Sequence, residues 1–292
     1  MTAQQNLGGR FTFPGTSMSV NRVGFGAMQL PGAGVFGPPR DRAAAIAVLR
    51  KAVELGIDHI DTSDFYGPHV ANELIREALH PYPKDLVIVT KIGGRRGADK
   101  SWLPAYSQGE LISAVHDNLR NLRVDALDAV NLRLGAGHGA ATPSLEEMLS
   151  TVIELKRQGH IKHIGLSNVT PAEFDAGRAM TEIVCVQNWY NVAKRGDDAF
   201  IDSLARQGVA YVPFFPLGGF APLQSQTLDK VAAALGATSR QVAQAWLLQR
   251  SPNILLITGT SSVAHLLENA AVAGLRLTPE ALAALDSAGK PA

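Results

Sequence analysis

The sequence has few of the features that would link it to disulfide formation or to nucleic acid. Its 292 residues include one cysteine, Cys185, so no internal disulfide framework can form. The apolar neighbours of Cys185 predict that it is a small buried hydrophobic residue. Lys and Arg number 27 against 26 Asp and Glu, which gives a formal net charge of +1. A chain so balanced has no broad electrostatic attraction to nucleic acid or anionic lipid, although a local cluster could bind a small charged molecule.

Long apolar runs and targeting signals are also missing. No stretch of about 18 uncharged apolar residues occurs, and no basic segment followed by an apolar one opens the sequence. We therefore expect a cytoplasmic protein that binds neither membranes nor nucleic acid. The eight histidines show no spacing typical of metal ligands, so no metal site is predicted. Since low-complexity segments and linkers are missing too, residues 1–292 are expected to form a single domain, with residues 1–10 flexible.

What the chain does contain is a regular alternation of short apolar runs and amphipathic segments. A small hairpin is predicted around residues 11–20 and a first strand over 23–28. Further strands are predicted at 59–62, 86–91, 127–133, 162–166, 183–187, 209–214 and 254–257, and helices at 41–55, 70–80, 108–121, 144–158, 171–179, 197–207, 225–249, 262–273 and 279–287. Eight strand–helix units predict an α/β fold, a single closed (β/α)8 TIM barrel with an N-terminal β-hairpin and extra C-terminal helices. A doubly wound open sheet is the alternative, but its glycine fingerprint after the first strand is missing.

Polar side chains follow two of the predicted strands. Asp61 closes the strand at 59–62, Tyr66 follows in a turn-rich segment, and Lys91 closes the next strand. Taken singly, these residues could be a turn cap, a packed ring and a solvated strand end. Together they are expected to converge, because active sites of barrels lie beyond the carboxyl ends of the strands. A tyrosine is a weak acid with an ordinary pKa near ~10, and a neighbouring ammonium stabilises its phenolate. The pattern therefore predicts a proton-transfer site in which Asp61 holds Lys91 charged.

The motifs around these residues resemble those of the aldo-keto reductase superfamily. "IDTSDFYG" and "VTK" carry the Asp, Tyr and Lys of the family as Asp61, Tyr66 and Lys91, and the similarity covers nearly the whole chain. The resemblance implies NADPH-dependent reduction of an aldehyde to an alcohol, with Tyr66 as proton donor. "GLSNVT" and "VPFFPLGGF" are most similar to the bacterial pyridoxal reductase-type members, which implies reduction of pyridoxal to pyridoxine.

The same resemblance implies which residues bind the cofactor. Ser167, Asn168 and Gln187 would hold the nicotinamide carboxamide, and Phe214 would stack on the nicotinamide ring. The remaining positions are Gly26, Ala27 and Met28 on the first strand, Leu217 and Gly218 along the pyrophosphate, Gly259, Thr260 and Ser261 at the 2′-phosphate, and Glu268 and Asn269 at the adenine. His265 stands where many members have an arginine on that phosphate. This departure bears on the preference for NADPH over NADH.

A second departure lies at the end of the predicted fourth strand. Family members usually carry a histidine there that hydrogen-bonds the substrate carbonyl, and this chain has Arg133. An arginine can donate hydrogen bonds to a carbonyl oxygen, but its pKa above ~12 prevents it from acting as an acid or base. Three roles stay open. Arg133 polarises the carbonyl, or it anchors an anionic or oxygen-rich substrate, or His138 in the following glycine-rich loop replaces the histidine.

The stretch 92–108 is the longest irregular segment within the predicted barrel. Loops of this length are uncommon unless they form a lid or a binding wall, so we expect it beside the substrate, the alternative being a solvated surface loop. Phe65, Trp102 and Trp189 near the opening would suit an aromatic aldehyde. Two other functions stay open, a broad-specificity reductase of small aldehydes and a slow-turnover NADPH-binding sensor or partner subunit. We expect a monomer or a small homo-oligomer.

Overall fold

Short strands alternate with helices along the chain. The computed structural model describes residues 7–135, 143–218 and 225–288. Its strands are β1 Arg10–Thr12, β2 Ser19–Asn21, β3 Phe25–Gly26, β4 His59–Asp61, β5 Val87–Ile92, β6 Gly94–Arg96, β7 Trp102–Pro104, β8 Leu127–Arg133, β9 Ile161–Ser167, β10 Ile183–Gln187 and β11 Ala210–Tyr211. Its helices are α1 Arg42–Glu54, α2 Val70–Leu79, α3 Gln108–Leu122, α4 Leu145–Arg157, α5 Pro171–Met180, α6 Asp198–Arg206, α7 Gln226–Leu235, α8 Ser239–Arg250, α9 Val263–Ala271 and α10 Pro279–Ala288.

A closed parallel sheet forms the centre of the fold. Seven strands pair in the order β11-β10-β9-β8-β5-β4-β3. The segment 254–259 joins the two edges of this sheet, because parallel bridges link Ile254 to Tyr211 on one side and Gly259 to Gly26 on the other. That segment fills the eighth place of the barrel through single bridges rather than as a regular strand. The predicted eightfold α/β barrel is confirmed.

The alternation of side chains along each strand decides what faces the inside of the barrel. Val87 and Val89 of β5 belong to an inner apolar cluster together with Ala129 of β8, whereas Ile88 packs outward against the helices. Since successive residues of a strand point to opposite faces, the next inward residue of β5 is Lys91. The inward row of β5 is therefore apolar at its start and becomes charged at the carboxyl end.

The N-terminal hairpin closes the other end of the barrel. β1 and β2 pair antiparallel, and Phe13 and Val20 join the inner apolar cluster. The backbone N–H of Asn21 donates to Asp58 at 2.7 Å, just before β4 begins, which ties the hairpin to the amino-terminal end of the strands. Burial of Phe13 stabilises the fold by about 1.5–3 kcal/mol. The barrel is thus accessible from the carboxyl end of its strands.

Helix starts follow from the local sequence. Ser107 accepts from the backbone of Glu110 at the start of α3, and the Glu110 side chain accepts from the Ser107 backbone in return. The same capping box opens α4 with Ser144 and α5 with Thr170. Each box satisfies backbone N–H groups that have no partner within the helix. The helices that cover the barrel therefore begin near where the sequence pattern places them.

Three stretches of the described residues differ from the sequence prediction. The helix expected over 225–249 is two helices, because Gly236 adopts a left-handed φ of +60° that ends α7, and Thr238 then caps α8. The stretch 92–108 is not irregular, since β6 and β7 pair antiparallel within it as a hairpin. The predicted strand 209–214 is shorter than expected, and only Ala210–Tyr211 forms regular β-structure.

The helices of the described residues are short. The longest of them, α3, has 15 residues, whereas an apolar helix needs about 20 to span a bilayer. Within the described parts of the chain, no helix has both the length and the apolar character to cross a membrane.

Candidate active site

Strand register brings the predicted catalytic residues to one end of the barrel. Asp61 ends β4, and Lys91 is the fifth residue of the neighbouring six-residue strand β5. Arg133 ends β8 and lies opposite Ser167, the last residue of β9. Gln187, at the end of β10, lies opposite the same serine. Residues far apart in the sequence therefore meet at the carboxyl ends of adjacent strands.

Asp61 and Lys91 form a buried ion pair. Lys91 Nζ donates to Asp61 Oδ1 at 2.5 Å and to the Thr62 carbonyl oxygen at 3.0 Å, and the two side chains are only 3% and 4% exposed. Gln187 Nε2 donates to the second carboxylate oxygen at 2.8 Å. Burial alone lowers the pKa of Lys91, but charge interactions and hydrogen bonds with Asp61 and Tyr66 outweigh it, and the pKa is raised. Lys91 is therefore held as an ammonium.

Tyr66 lies against this ion pair. The Lys91 ammonium is 5.2 Å from the centroid of the Tyr66 ring, and its interaction with Tyr66 contributes to the raised pKa of Lys91. The tyrosine backbone is fixed on both sides, because its N–H donates to the Ser63 carbonyl at 3.0 Å and its carbonyl accepts from the Ala71 N–H at 3.1 Å. These backbone hydrogen bonds hold the turn that places the Tyr66 phenol against the Asp61–Lys91 ion pair.

A clasp between Asp64 and His69 closes the turn that carries Tyr66. His69 Nδ1 lies 2.6 Å from Asp64 Oδ2, and the His69 backbone N–H donates to the Asp64 carbonyl at 2.7 Å. The other carboxylate oxygen accepts from Asn72 Nδ2 at 3.1 Å and from Asn121 Nδ2 at 2.8 Å. The hydrogen bond to Asp64 raises the pKa of His69. The clasp thus joins the segments on either side of Tyr66 to the surrounding helices.

A cavity of about 400 Å³ opens at this end of the barrel. The predicted residues that line it are Gly26, Met28, Asp61, Tyr66, Lys91, Gln187, Phe214, Leu217, Gly259, Thr260, Ser261 and His265. The structure adds lining residues that the sequence did not suggest, namely Gln29, Phe215, Pro216, Leu228, Ser239, Arg240, Ala243, Ile257 and Thr258. One continuous space therefore connects Asp61, Tyr66 and Lys91 with the loops after the seventh and eighth strand positions.

Several predicted cofactor residues do not line the cavity in the described structure. They are Ala27, Ser167, Asn168, Gly218, Glu268 and Asn269. Asn168 donates to the Leu134 carbonyl at 2.8 Å, and the Asn269 side-chain oxygen accepts from Gln244 at 3.0 Å. These amides already have partners within the protein, so contacts to a cofactor stay predictions for them.

Arg133 is turned toward the barrel wall. Its Nη1 donates to Ser167 Oγ at 3.0 Å, and its Cζ lies 4.9 Å from the centroid of the Phe214 ring. Arg133 is half-buried and does not line the cavity. Contact with a substrate carbonyl would therefore need the side chain to turn. His138, the suggested replacement, lies outside the described residues.

An aromatic wall stands beside Tyr66. The centroid of the Trp102 ring is 5.9 Å from that of Phe65 and 6.4 Å from that of Tyr66. Arg96 stacks on Trp102, with its Cζ 3.9 Å from the ring centroid, and yet Trp102 stays 45% exposed. The hairpin of β6 and β7 thus places an exposed apolar ring next to the phenol. Trp189 is also exposed and packs edge-on against the cavity-lining Phe215.

The lining offers unsatisfied polar groups that a cofactor could use. Gln187 Oε1 and Thr258 Oγ1 are buried and form no hydrogen bond within the described residues. A buried acceptor without a donor is costly, and an amide NH2 such as that of nicotinamide would satisfy Gln187. The half-buried Phe214 ring offers an apolar face to a flat heterocycle. The residues present therefore fit a nicotinamide dinucleotide.

Metal ligands are not gathered in this site. Among the described residues, no group of three or more His, Cys, Asp or Glu side chains is placed to hold a metal ion. Cys185 is buried inside the barrel, where its thiol donates to Asn131 Oδ1 at 3.2 Å. Burial raises the pKa of Cys185 to about 12, so the thiol stays protonated. Cys185 is thus a small buried residue of the core, as the sequence predicted.

Comparison with known proteins assigns this geometry to a family. Residues 22–290 match the model of the Aldo/keto reductase family. The chain belongs to that family. This aldo/keto reductase is 66% identical over 277 residues to pyridoxine 4-dehydrogenase of Escherichia coli (strain K12), with 94% of this chain and 97% of the relative covered. The predicted family, fold class and oxidoreductase class are confirmed.

Solved structures agree with the fold. A thermostable aldo-keto reductase solved with the inhibitor epalrestat has a TM-score of 0.81 and 28% identity to this aldo/keto reductase, covering 96% of this chain and 99% of that one. The Klebsiella pneumoniae aldo-keto reductase in complex with NADPH has a TM-score of 0.77 and 23% identity, covering 97% and 95%. At such low identity the second comparison shows the shared barrel alone.

The contribution of α8 to the cavity was missed by sequence reasoning. Ser239, Arg240 and Ala243 all come from its first two turns. The available signal was Thr238, since a capping residue within 225–249 indicates a second helix start. Nothing in the sequence pattern indicates that this helix start faces the cavity.

Proposed function

We propose that this aldo/keto reductase uses NADPH to reduce an aldehyde to an alcohol and that pyridoxal is its preferred substrate, with pyridoxine as the product. The observation that carries the proposal is the buried Asp61–Lys91 pair against the cavity-lining Tyr66. Burying two charges is expensive, so a buried pair at the wall of a cavity is better explained by chemistry than by stability. The similarity to a pyridoxine dehydrogenase and the exposed Trp102 ring support an aromatic aldehyde.

The residues divide the proton chemistry among them. When bound, NADPH supplies a hydride to the aldehyde carbon. Tyr66 donates its hydroxyl proton to the aldehyde oxygen, so aldehyde, hydride and proton together give the alcohol. The Lys91 ammonium stabilises the phenolate that Tyr66 becomes, and Asp61 with the Thr62 carbonyl keeps that ammonium in place. The proton is then returned to Tyr66 from solvent.

Binding of the cofactor would fall to residues along the rest of the cavity. Gln187 offers a buried acceptor for an amide, and Phe214 offers a ring face. Thr260 and Ser261, beyond the eighth strand position, offer hydroxyls and backbone N–H groups for phosphate. Leu217, which lies between Phe214 and Thr260 in the sequence, also lines the cavity. The lining therefore provides contacts of suitable chemistry for each part of a dinucleotide.

The decisive experiment is a cofactor and substrate panel. Purified protein would be mixed with NADPH, and separately with NADH, and with pyridoxal, a nitrobenzaldehyde or methylglyoxal, while the absorbance of the reduced nicotinamide is followed. We expect NADPH-linked turnover with a higher kcat/KM for pyridoxal than for the other two aldehydes. Equal kcat/KM for all three would contradict the assignment of pyridoxal and leave a broad-specificity aldehyde reductase.

The orientation of Arg133 favours a second candidate function. Because its guanidinium is held by Ser167 and Phe214, it is not aimed at a substrate in the present arrangement. If NADPH binds tightly and every aldehyde is turned over negligibly, a cofactor-binding sensor or partner subunit becomes the better assignment. We further expect a cytoplasmic monomer or small homo-oligomer acting on free small molecules, which size-exclusion chromatography with light scattering and cell fractionation would test.

A further inference from the structure

Within the described parts of the chain, one cationic side chain of the cavity has no partner. Arg240 is the second residue of α8 and lines the cavity together with its neighbour Ser239. Its guanidinium makes no hydrogen bond or ion pair with any residue in the parts of the chain that the structure describes. By contrast, Arg195 is bound to Asp198 and Arg133 to Ser167. A free guanidinium bordering a cavity is available to a ligand.

The described residues that line the cavity carry an excess of positive charge. Asp61 is the single carboxylate among the described lining residues, and Lys91 already neutralises it. The remaining ionisable side chains of the lining are Tyr66, Arg240 and His265. Asp229, the acidic neighbour on α7, accepts a hydrogen bond from Ser239 at 2.6 Å, and Glu268 on α9 is exposed and outside the lining. The undescribed residues 219–224 include no charged residue in the sequence.

Hydroxyls that precede the start of α9 line the same cavity as this guanidinium. Gln241 and Gln244 of α8 donate to the Glu268 carbonyl at 3.4 Å and to Asn269 at 3.0 Å, so the two helices α8 and α9 pack side by side. The segment that leads into α9 contributes Thr260 and Ser261 to the cavity. Arginine, hydroxyl and helix N-terminus are the groups that bind phosphate in proteins.

We propose that Arg240, assisted by Thr260 and Ser261, binds the 2′-phosphate of NADPH and is the residue that makes this protein prefer NADPH over NADH. The inference rests on the proposed function, because it assigns one part of the same cofactor. The guanidinium fork can donate two parallel hydrogen bonds to a phosphate, which a histidine at position 265 cannot do. The cation for this phosphate therefore comes from α8 rather than from α9.

Binding affinities test the proposal without relying on turnover. Dissociation constants for NADPH, NADH and adenosine 2′,5′-bisphosphate would be measured by calorimetry on the unaltered protein, on Arg240→Gln and on Lys230→Gln. Lys230 is an exposed cation on the adjacent α7 that does not line the cavity, so its variant controls for net charge. For Arg240→Gln we expect roughly 10- to 100-fold weaker binding of NADPH and of the bisphosphate, with NADH changed less than about twofold. Lys230→Gln should leave all three unchanged.

A conservative variant separates charge from fold. Arg240→Lys keeps a point charge but loses the fork, so its NADPH affinity should fall between those of the unaltered protein and Arg240→Gln. Equal weakening of NADPH and NADH by Arg240→Gln, or no change in either, would overturn the role of Arg240 while leaving the proposed function intact. Failure of the unaltered protein to bind either dinucleotide would overturn the proposed function and this inference together.

Discussion

Replacing Lys91 by methionine would leave the carboxylate of Asp61 buried without its cation. Lys91 Nζ lies 2.5 Å from Asp61 Oδ1, and at an effective dielectric constant of 20 the attraction of two charges at that separation is roughly 7 kcal/mol. Desolvation offsets part of this attraction in the intact protein, and Gln187 would still donate to Asp61 at 2.8 Å. We therefore expect Lys91→Met to lower the free energy of unfolding by about 3–5 kcal/mol.

Removing the second charge should restore most of the lost stability. In the double variant Lys91→Met with Asp61→Asn, neither charge is buried, and the asparagine keeps an acceptor for Gln187. Neutral replacements of buried ion pairs cost little, so the double variant should unfold within about 2 kcal/mol of the unaltered protein. Two changes would then be less damaging than one, which is the signature of a charge pair.

Urea denaturation followed by circular dichroism at neutral pH would measure these free energies. Lys51→Met is the matched control, because Lys51 pairs with Glu54 at 2.8 Å on the surface, where Glu54 is 68% exposed, and its loss should cost less than about 0.5 kcal/mol. A double variant no more stable than Lys91→Met would refute the reasoning. Aldehyde reduction should be lost in both variants, so stability and activity would separate.

Four further changes test the roles of other residues. Tyr66→Phe should lower kcat by roughly 10²–10⁴-fold with the NADPH dissociation constant unchanged, and weaker NADPH binding would mean that the phenol contacts the cofactor. Arg133→His should retain or raise kcat if position 133 donates to the carbonyl, whereas a loss confined to one aldehyde would make Arg133 an anchor. Trp102→Ala should raise KM for pyridoxal about 2- to 10-fold and leave methylglyoxal unchanged, and equal effects on both would contradict the aromatic wall. Because the hydrogen bond to Asp64 raises the pKa of His69, its stabilisation is fully present below the ordinary histidine pKa of about 6.5 and is lost as pH rises through the raised value. The Tm deficit of His69→Gln should therefore be larger at about pH 5.5 than at about pH 9, and a deficit independent of pH would contradict the clasp.

The sequence carried enough information to place the predicted catalytic residues together. An apolar run that ends in Lys91 and a short strand that ends in Asp61 must lie in the same barrel, and strand ends in a barrel share one rim. The bounds observed for β8 and β10 agree with those predicted, 127–133 and 183–187. Both strands are buried along almost their whole length, so each appears in the sequence as a run of mainly apolar residues.

Other features depended on contacts that periodicity does not encode. The hairpin of β6 and β7 is held by Arg96, which donates to backbone carbonyls of Gly34 and Lys100 and stacks on Trp102. The orientation of Arg133 toward Ser167 depends on strand register between β8 and β9. In both cases the orientation of a long side chain depends on partners from distant parts of the chain, and no local sequence pattern predicts those partners.

The alternation of side chains along each strand, which builds the inner core, also places residues of the candidate site. Inward positions of β5 run from Val87 through Val89 to Lys91, and the segment after β11 continues the inner row through Val212 to Phe214. A slip of one residue in β5 would move Lys91 toward the helices and bring Thr90 inside, so the core and the site would be lost together. This row of β5 thus ends in a buried ion pair, which is costly to desolvate and lies beside Tyr66.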